Sequence, residues 1–223
     1  MKFKNREEAG KLLAEKVKEL NLLPEDSVIL AIPRGGVPVA YQVSKETKIP
    51  FSLVVVKKLT LPYDPEAAVG AIAPDGTYVV DPAFFPAVSE GMLLEEMKQK
   101  ALEEINKRIQ KYLNGKIPDI NGKNVIIIDD GLATGYTALV AGLYARNLGA
   151  KKLILAVPVC PRDSLQRAYK VYQNVVCYEL VDTPFFAVGA YYEDFHQLSD
   201  EEMFKYLEMA KKEGLYYEGA QNG

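Results

Sequence analysis

The fold class is decided by residues 125–137, which read VIIIDDGLATGYT. Their first four residues are apolar and β-branched, which predicts a strand buried on both faces, as in a parallel sheet. Asp129 and Asp130 come directly after this strand, and a loop of small residues then leads into a helix that starts at Thr137. Because ligands of open parallel sheets bind beyond the carboxyl ends of the strands, the segment also predicts a ligand site.

The loop after Asp130 has the properties of a phosphate site. It leads into a helix N-terminus, where N–H groups lack partners and the helix dipole favours an anion. Thr134 and Thr137 add hydroxyl donors, and Gly135 lets the backbone approach a ligand closely. The two carboxylates are spaced for the hydroxyls of a sugar that carries the phosphate. The segment contains neither the Walker pattern nor the dinucleotide fingerprint. The plainer alternative is that the carboxylates only end a strand and cap a helix.

Strands and helices alternate on both sides of this segment. Buried strands are predicted at residues 27–32 (SVILAI), 51–56 (FSLVVV), 152–157 (KLILAV) and 175–180 (VVCYEL). Helices are predicted at 37–48, 137–148, 162–172 and 200–212, the last capped by Ser199 with Glu202 three positions later. The alternation predicts an α/β fold: a doubly wound, mainly parallel five-stranded sheet with helices on both faces.

One insertion interrupts the alternation. The chain is predicted to be a single domain, residues 1–223, with a smaller subdomain at 59–115. Within it, residues 71–73 and 77–80 flank a Pro-Asp-Gly turn, which predicts a hairpin, and a charged helix follows at 89–113. A connection of this length in a compact domain often forms a lid. An amphipathic helix at residues 5–21, capped by Asn5, could belong to either part.

The composition limits the kinds of metal site and of binding partner that are expected. A net charge of −3 argues against a nucleic-acid partner, which needs a basic surface. A single histidine excludes a histidine-cluster metal site, so any metal is expected to be a hard cation such as Mg²⁺. Cys160 and Cys177 predict neither a disulfide nor a zinc site. With no apolar signal region and no run of membrane-spanning length, a cytoplasmic protein without membrane contacts is expected.

Residues 125–137 resemble the motif with which type I phosphoribosyltransferases bind 5-phosphoribosyl-1-pyrophosphate (PRPP). In that motif four apolar and two acidic residues precede a loop of the form xxxTGxT. The wider chain is similar to a little-characterised bacterial and archaeal branch of the family, through FKNREEAGKLLAEKV, AIPRGGVPVA, KKLTLPYDPEAAVGAIA, DDGLATGYT and YYEDFHQLSDEE. The resemblance implies the type I fold with a hood subdomain and a flexible loop, a homodimer, and a Mg²⁺-dependent transfer of the phosphoribosyl group.

The resemblance also assigns roles to residues at the strand ends. Asp129 and Asp130 would contact the ribose hydroxyls, serve as metal ligands and form the catalytic set together with Arg34. The 5-phosphate would be bound by Leu132, Ala133, Thr134, Gly135, Tyr136 and Thr137. The pyrophosphate would be bound by Arg34, Gly35, Lys57 and Lys58, with both lysines at the end of the second strand and a cis peptide next to Arg34. The plainer alternatives are an exposed arginine in a turn and two solvated lysines.

The aromatic stretch after the last strand is similar to the base-binding region of purine phosphoribosyltransferases. This similarity implies that Phe186 stacks on the base with Val188 beside it, and that Asp194 helps to hold a second metal. The stretch could equally be an aromatic patch packed against the C-terminal helix. His196 is expected to be an ordinary surface histidine.

The chain is therefore interpreted as an enzyme that binds PRPP and Mg²⁺ and transfers the phosphoribosyl group to a nitrogenous acceptor, such as a nucleobase, with release of pyrophosphate. Ala133 stands where hypoxanthine–guanine enzymes have Asp, and Tyr136 stands where smaller residues are commoner. Both departures favour an alternative, a regulatory protein that senses PRPP or a nucleotide without turnover. A third possibility, a paralogue that binds no ligand, conflicts with the intact motif.

Overall fold

The computed structural model describes residues 2–183 and 185–219. The strands in these residues are β1 (Ser27–Ala31), β2 (Phe51–Leu53), β3 (Lys57–Leu61), β4 (Asp64–Ile72), β5 (Tyr78–Val80), β6 (Asn124–Ile128), β7 (Lys152–Pro161) and β8 (Asn174–Val181). The helices are α1 (Arg6–Lys18), α2 (Gly36–Thr47), α3 (Phe85–Val88), α4 (Leu93–Leu113), α5 (Tyr136–Asn147), α6 (Arg162–Ala168) and α7 (Asp200–Lys212).

The main sheet has five strands in the order β2-β1-β6-β7-β8, and every neighbouring pair is parallel. The predicted α/β class with a five-stranded parallel sheet is therefore confirmed. β1 and β6 are neighbours, with Ile29 opposite Ile126. Because β2 lies on one side of β1 and β6 on the other, the direction of strand addition reverses there. The carboxyl ends of β1 and β6 border the crevice at which such sheets bind ligands.

Helices cover both faces of this sheet because successive residues of a strand point to opposite sides. Ile126 belongs to the core beneath α1, α2 and α7, whereas its neighbours Val125 and Ile127 belong to the core beneath α5 and α6. The helix α1 packs against α2, β7 and β8, so the N-terminal helix is part of the main layer rather than of the insertion.

The insertion forms a hood over one edge of the main sheet, and we use this name for residues 57–113. It consists of a three-stranded antiparallel sheet, β3-β4-β5, with α3 and the long α4. The predicted hairpin is confirmed, with Ile72 opposite Tyr78. The predicted long helix begins at Leu93, because the short α3 and a turn take up the residues before it.

The predicted second strand, residues 51–56, is too long. β2 ends at Leu53, and Lys57 and Lys58 open β3 instead of closing β2, so their predicted position at a strand end is wrong. Residues 54–56 are nevertheless buried, because this connection packs beneath the hood. The unbroken apolar run therefore indicates that these residues are buried, but it does not indicate where the strand ends.

The predicted helix caps are confirmed. The Asn5 side chain accepts a hydrogen bond from the Glu8 N–H at 2.9 Å, and Ser199 and Glu202 form a reciprocal capping box at the start of α7. Of the helices in the described part of the chain, none combines the length and the apolar character needed to cross a membrane.

Candidate active site

A cleft of about 690 Å³ separates the carboxyl ends of β1 and β6 from the hood. One wall, the sheet wall, is formed by the ends of these strands and the helices that follow them. The opposite wall, the hood wall, is formed by β3, the turn after it and one face of α4. The side chains that line the cleft include Asp129, Asp130 and Thr137 on the sheet wall, and Lys57, Lys58, Thr60, Glu96, Met97, Lys100, Glu104 and Arg108 on the hood wall. A volume of this size is typical of small-molecule sites.

The carboxylate pair of the sheet wall is held by a buried arginine. Arg6 Nε donates to Asp130 Oδ2 at 3.0 Å, and Arg6 Nη1 donates to the His196 carbonyl at 2.9 Å. The Arg6 guanidinium also lies over the Phe195 ring, 4.3 Å from its centroid. The Tyr192 hydroxyl donates to the Asp130 carbonyl at 2.6 Å. Asp130 is thus fixed at its side chain and at its backbone.

The electrostatics of the pair favour a nearby cation. Burial and the neighbouring Asp130 charge hold the pKa of Asp129 well above its usual range. Burial also raises the pKa of Asp130, and the Arg6 guanidinium opposes that rise. Because burial disfavours the charged form of both carboxylates, positive charge placed beside them would favour their ionisation. Within the described ranges, no group of three or more His, Cys, Asp and Glu side chains is arranged around a metal position.

The loop of residues 131–137, which we call the phosphate loop, presents a row of backbone donors. Leu132 N–H donates to the Val159 carbonyl at 3.0 Å and is therefore occupied. In the described residues, no protein acceptor takes the N–H groups of residues 133–138. Gly135 has φ +88°, a left-handed conformation that favours glycine, and it is the N-cap of α5 without a side-chain cap. These donors and the positive end of α5 suit an anion.

Tyr136, the unusual residue of the phosphate loop, points away from the cleft. Burial and the adjacent Asp81 carboxylate raise the pKa of Tyr136 to about 12, and hydrogen bonding to Tyr136 lowers the pKa of Asp81. The ring packs against the core beneath α5. A large residue at this position could crowd a bound phosphate, but Tyr136 instead connects the loop to Asp81 of the hood.

The turn after β1 contains the cis peptide that the resemblance implied, between Pro33 and Arg34. Pro33 and Gly35 line the cleft, and a Cβ on Gly35 would overlap Asp130 Oδ2. Arg34 itself points elsewhere: its Nη1 lies 3.5 Å from Asp200 Oδ1. The same carboxylate accepts from the Tyr112 hydroxyl at 2.6 Å. The predicted role of Arg34 requires its side chain to leave this contact.

The hood wall carries four basic side chains together with Glu96 and Glu104. Lys57 Nζ forms an ion pair with Glu104 Oε2 at 2.7 Å. The Lys58 charge acts on Asp129 across the cleft and opposes the rise in its pKa. Lys100 and Arg108 also line the cleft, although the sequence reading did not select them. The sequence did contain a signal that these side chains share one face of α4, namely the helical spacing of Met97, Ala101, Glu104 and Arg108.

The predicted base-binding residues lie outside the cleft. Phe186 stacks on Tyr191 with ring centroids 5.3 Å apart, and Val188 packs on Gly131. Asp194 is exposed and its Oδ1 lies 2.8 Å from His196 Nδ1. Hydrogen bonding to His196 lowers the pKa of Asp194. This arrangement matches the alternative of an aromatic patch, although its members pack beside the phosphate loop and the N-terminal segment rather than on α7.

Arg6 is the functional candidate that the sequence reading missed. It stands at the first position of α1, in a segment that reads only as an amphipathic helix. An arginine at this position is normally solvated, whereas the Arg6 side chain is 9% exposed. Nothing in the local pattern distinguishes it, because its partners Asp130 and His196 are more than a hundred residues away.

Comparison with known proteins identifies the family. The phosphoribosyl transferase domain matches residues 3–194. A provisionally named phosphoribosyl transferase of Mycobacterium tuberculosis (strain H37Rv) is 38% identical over 216 residues, which are 95% of this chain and 47% of that protein. The match covers nearly the whole of this chain, and the chain spans about half the length of these curated relatives.

The chain is also similar to two further proteins. A ribose-phosphate pyrophosphokinase of Pyrococcus furiosus is 34% identical over 68 residues, 30% of this chain and 24% of that protein. The crystal structure of TT1426 from Thermus thermophilus superposes with a TM-score of 0.75 at 33% identity, covering 93% of this chain and 98% of that one. With the parallel sheet, the carboxylate pair and the phosphate loop in place, the chain belongs to the phosphoribosyl transferase domain family.

Proposed function

We propose that the chain binds PRPP and Mg²⁺ in this cleft and transfers the phosphoribosyl group to a nitrogenous acceptor, with release of pyrophosphate. One observation carries the proposal: the carboxylate pair and the N–H groups of the phosphate loop meet at the same end of β6. That combination suits a phosphorylated sugar, since carboxylates accept from sugar hydroxyls and the loop donates to a phosphate.

The residues of the sheet wall would hold the ribose. The amides of residues 133–138, with the Thr134 and Thr137 hydroxyls, would anchor the 5-phosphate. Asp129 and Asp130 would accept from the ribose hydroxyls, and their negative charge would favour the positive charge that develops on the ring. The bond from ribose C1 to the pyrophosphate oxygen breaks with its electron pair leaving on pyrophosphate. A bond from C1 to the acceptor nitrogen forms with inversion, and that nitrogen loses a proton to solvent.

The residues of the hood wall would receive the leaving group. Lys57, Lys58 and Arg34 would offset the charge of pyrophosphate, which requires Lys57 to release Glu104 and Arg34 to release Asp200. Movement of the hood toward the sheet wall would exclude water from a ring that is easily hydrolysed.

The donor set fits a magnesium ion. Asp129 and Asp130 offer two oxygen ligands whose raised pKa values fall when a cation binds beside them. Such an ion usually completes its shell with substrate oxygens and water, and when bound it would neutralise part of the phosphate charge. Asp194, exposed and paired with His196, is a weaker candidate for a second ion.

The first test is calorimetric titration with PRPP and Mg²⁺, followed by a pyrophosphate-release assay with a panel of nucleobases on the same samples. Micromolar binding with release for one base would support the enzyme and name its acceptor. Absence of binding would refute the proposal. Light scattering on the same samples would test the proposed homodimer.

The alternative, a PRPP or nucleotide sensor without turnover, is favoured by one observation. Arg34 and Lys57, which the transfer needs at the pyrophosphate, are both engaged with carboxylates of the protein. Tight PRPP binding without pyrophosphate release from any acceptor would support the sensor.

A further inference from the structure

We propose that Ser164 and Arg167, on the helix α6, are positioning residues that set the phosphate loop in the conformation that receives the 5-phosphate. The inference rests on the proposed function and deepens it. It concerns residues that no motif selects and whose side chains bond to the loop from α6.

The two side chains act on consecutive carbonyl groups of the loop. The Ser164 hydroxyl donates to the Ala133 carbonyl, and Arg167 Nη2 donates to the Thr134 carbonyl at 2.9 Å. Arg167 Nη2 also donates to Ser164 Oγ at 3.1 Å, so that the two side chains form one unit. Ser164 is 1% exposed, which keeps its hydroxyl from exchanging the loop for water.

Fixing these carbonyls also fixes the donors. In a trans peptide the C=O and the following N–H lie in one plane and point in opposite directions. Because the carbonyls of Ala133 and Thr134 are drawn toward α6, the N–H groups of Thr134 and Gly135 are directed away from it. Both N–H groups are among those without a protein acceptor in the described ranges. The helix α6 therefore determines the direction in which these N–H groups of the loop point.

The charge of Arg167 and the energetic cost of its burial both support this role. Arg167 Nη2 brings a positive charge to the Thr134 carbonyl of the loop, and positive charge there favours a bound phosphate. Arg167 Nε is buried and has no hydrogen-bond partner among the described residues. An unsatisfied buried donor lowers stability, so the position of Arg167 is better explained by its bonds to the loop than by a contribution to folding.

The test uses two ligands that report on the two ends of the cleft. Ribose 5-phosphate needs the phosphate loop, whereas Mg²⁺-pyrophosphate needs the turn after β1 and the lysines of β3. We expect Arg167→Met to weaken ribose 5-phosphate about tenfold and Ser164→Ala about threefold to tenfold, as for the loss of one or two hydrogen bonds. The Kd for Mg²⁺-pyrophosphate should change by less than about twofold in both. Arg167→Lys, which keeps one donor and the charge, should restore part of the loss.

The matched control is Arg162→Met on the same helix. Arg162 is half-exposed, pairs with the exposed Asp182 at 3.5 Å and has no bond to the loop, so neither Kd should change. Unchanged binding of ribose 5-phosphate in Arg167→Met and Ser164→Ala would overturn the inference. An equal loss of both ligands with a lower Tm would also overturn it, because that result indicates a merely structural role. If the unmodified chain binds neither ribose 5-phosphate nor PRPP, the proposed function itself fails.

Discussion

The two walls of the cleft differ in how their charged side chains are held. On the sheet wall, Asp130 is fixed by Arg6, by Tyr192 and by the close approach of Gly35. On the hood wall, the Lys57–Glu104 pair is partly solvated, with side chains 30% and 39% exposed. The sheet wall is thus prearranged for a ligand, whereas the hood wall must exchange its partners when a ligand arrives. A substitution in the sheet wall should therefore affect folding and binding together, and a substitution in the hood wall should affect binding alone.

The largest effect is expected from Asp129→Asn combined with Asp130→Asn. The double change removes the acceptors for the ribose hydroxyls and the ligands for a cation, so PRPP binding or turnover should fall at least about tenfold. Calorimetry with PRPP and Mg²⁺ measures it. Asp26→Asn is the control, because Asp26 is exposed at the amino end of β1, away from the cleft. Kinetics and binding equal to those of the unmodified chain would exclude the carboxylate pair from the site.

Arg6→Met should lower the stability of the sheet wall itself. Removing one partner of a mostly buried ion pair leaves the Asp130 carboxylate uncompensated, and we expect a loss of about 3 kcal/mol in the free energy of unfolding. Urea titration measures it. In a double-mutant cycle, adding Asp130→Asn should recover part of the loss, because the unpaired charge is then absent. Strictly additive losses would show that the two side chains are not coupled.

Gly35→Ala should disturb the same wall through packing alone. The added Cβ overlaps Asp130 Oδ2, so we expect the carboxylate to shift and its bond to Arg6 to weaken. We expect a loss of about 1–3 kcal/mol in unfolding free energy and a weaker affinity for PRPP. Thermal unfolding and calorimetry measure the two effects. If the variant matches the unmodified chain in both, the close approach of Gly35 to Asp130 is not required.

Lys57→Met should separate the hood wall from the sheet wall. Its pair with Glu104 is partly solvated, so the free energy of unfolding should change by less than about 1 kcal/mol. Affinity for PRPP should nevertheless fall about threefold to tenfold, with a weaker dependence on salt. Lys48→Met is the control, since Lys48 is an exposed cation at the C-terminal end of α2. A loss of stability larger than that of Arg6→Met would reverse the assignment of the two walls.

The sequence predicted the fold correctly where one local pattern decided the outcome. The apolar run before Asp129 must be buried, and similar runs recur along the chain. A parallel sheet with helices on both faces is the arrangement that buries all of them. The prediction failed at the end of β2, because residues 54–56 are equally apolar when they are buried beneath the hood instead of in the sheet. Phe186, Val188 and Asp194 stay predictions as base and metal candidates, and they are not among the residues that line the cleft.

The sequence by itself determined the α/β fold, the carboxylate pair at the end of β6 and the phosphate loop, because residues 125–137 carry all three in one continuous stretch. Only the tertiary structure decided which distant side chains support that stretch. Arg6 reaches Asp130 from the N-terminal helix, and Arg167 reaches the loop from α6. Contacts of this kind leave no periodic signal, because they depend on how separate helices pack on the sheet and not on the spacing of residues along the chain.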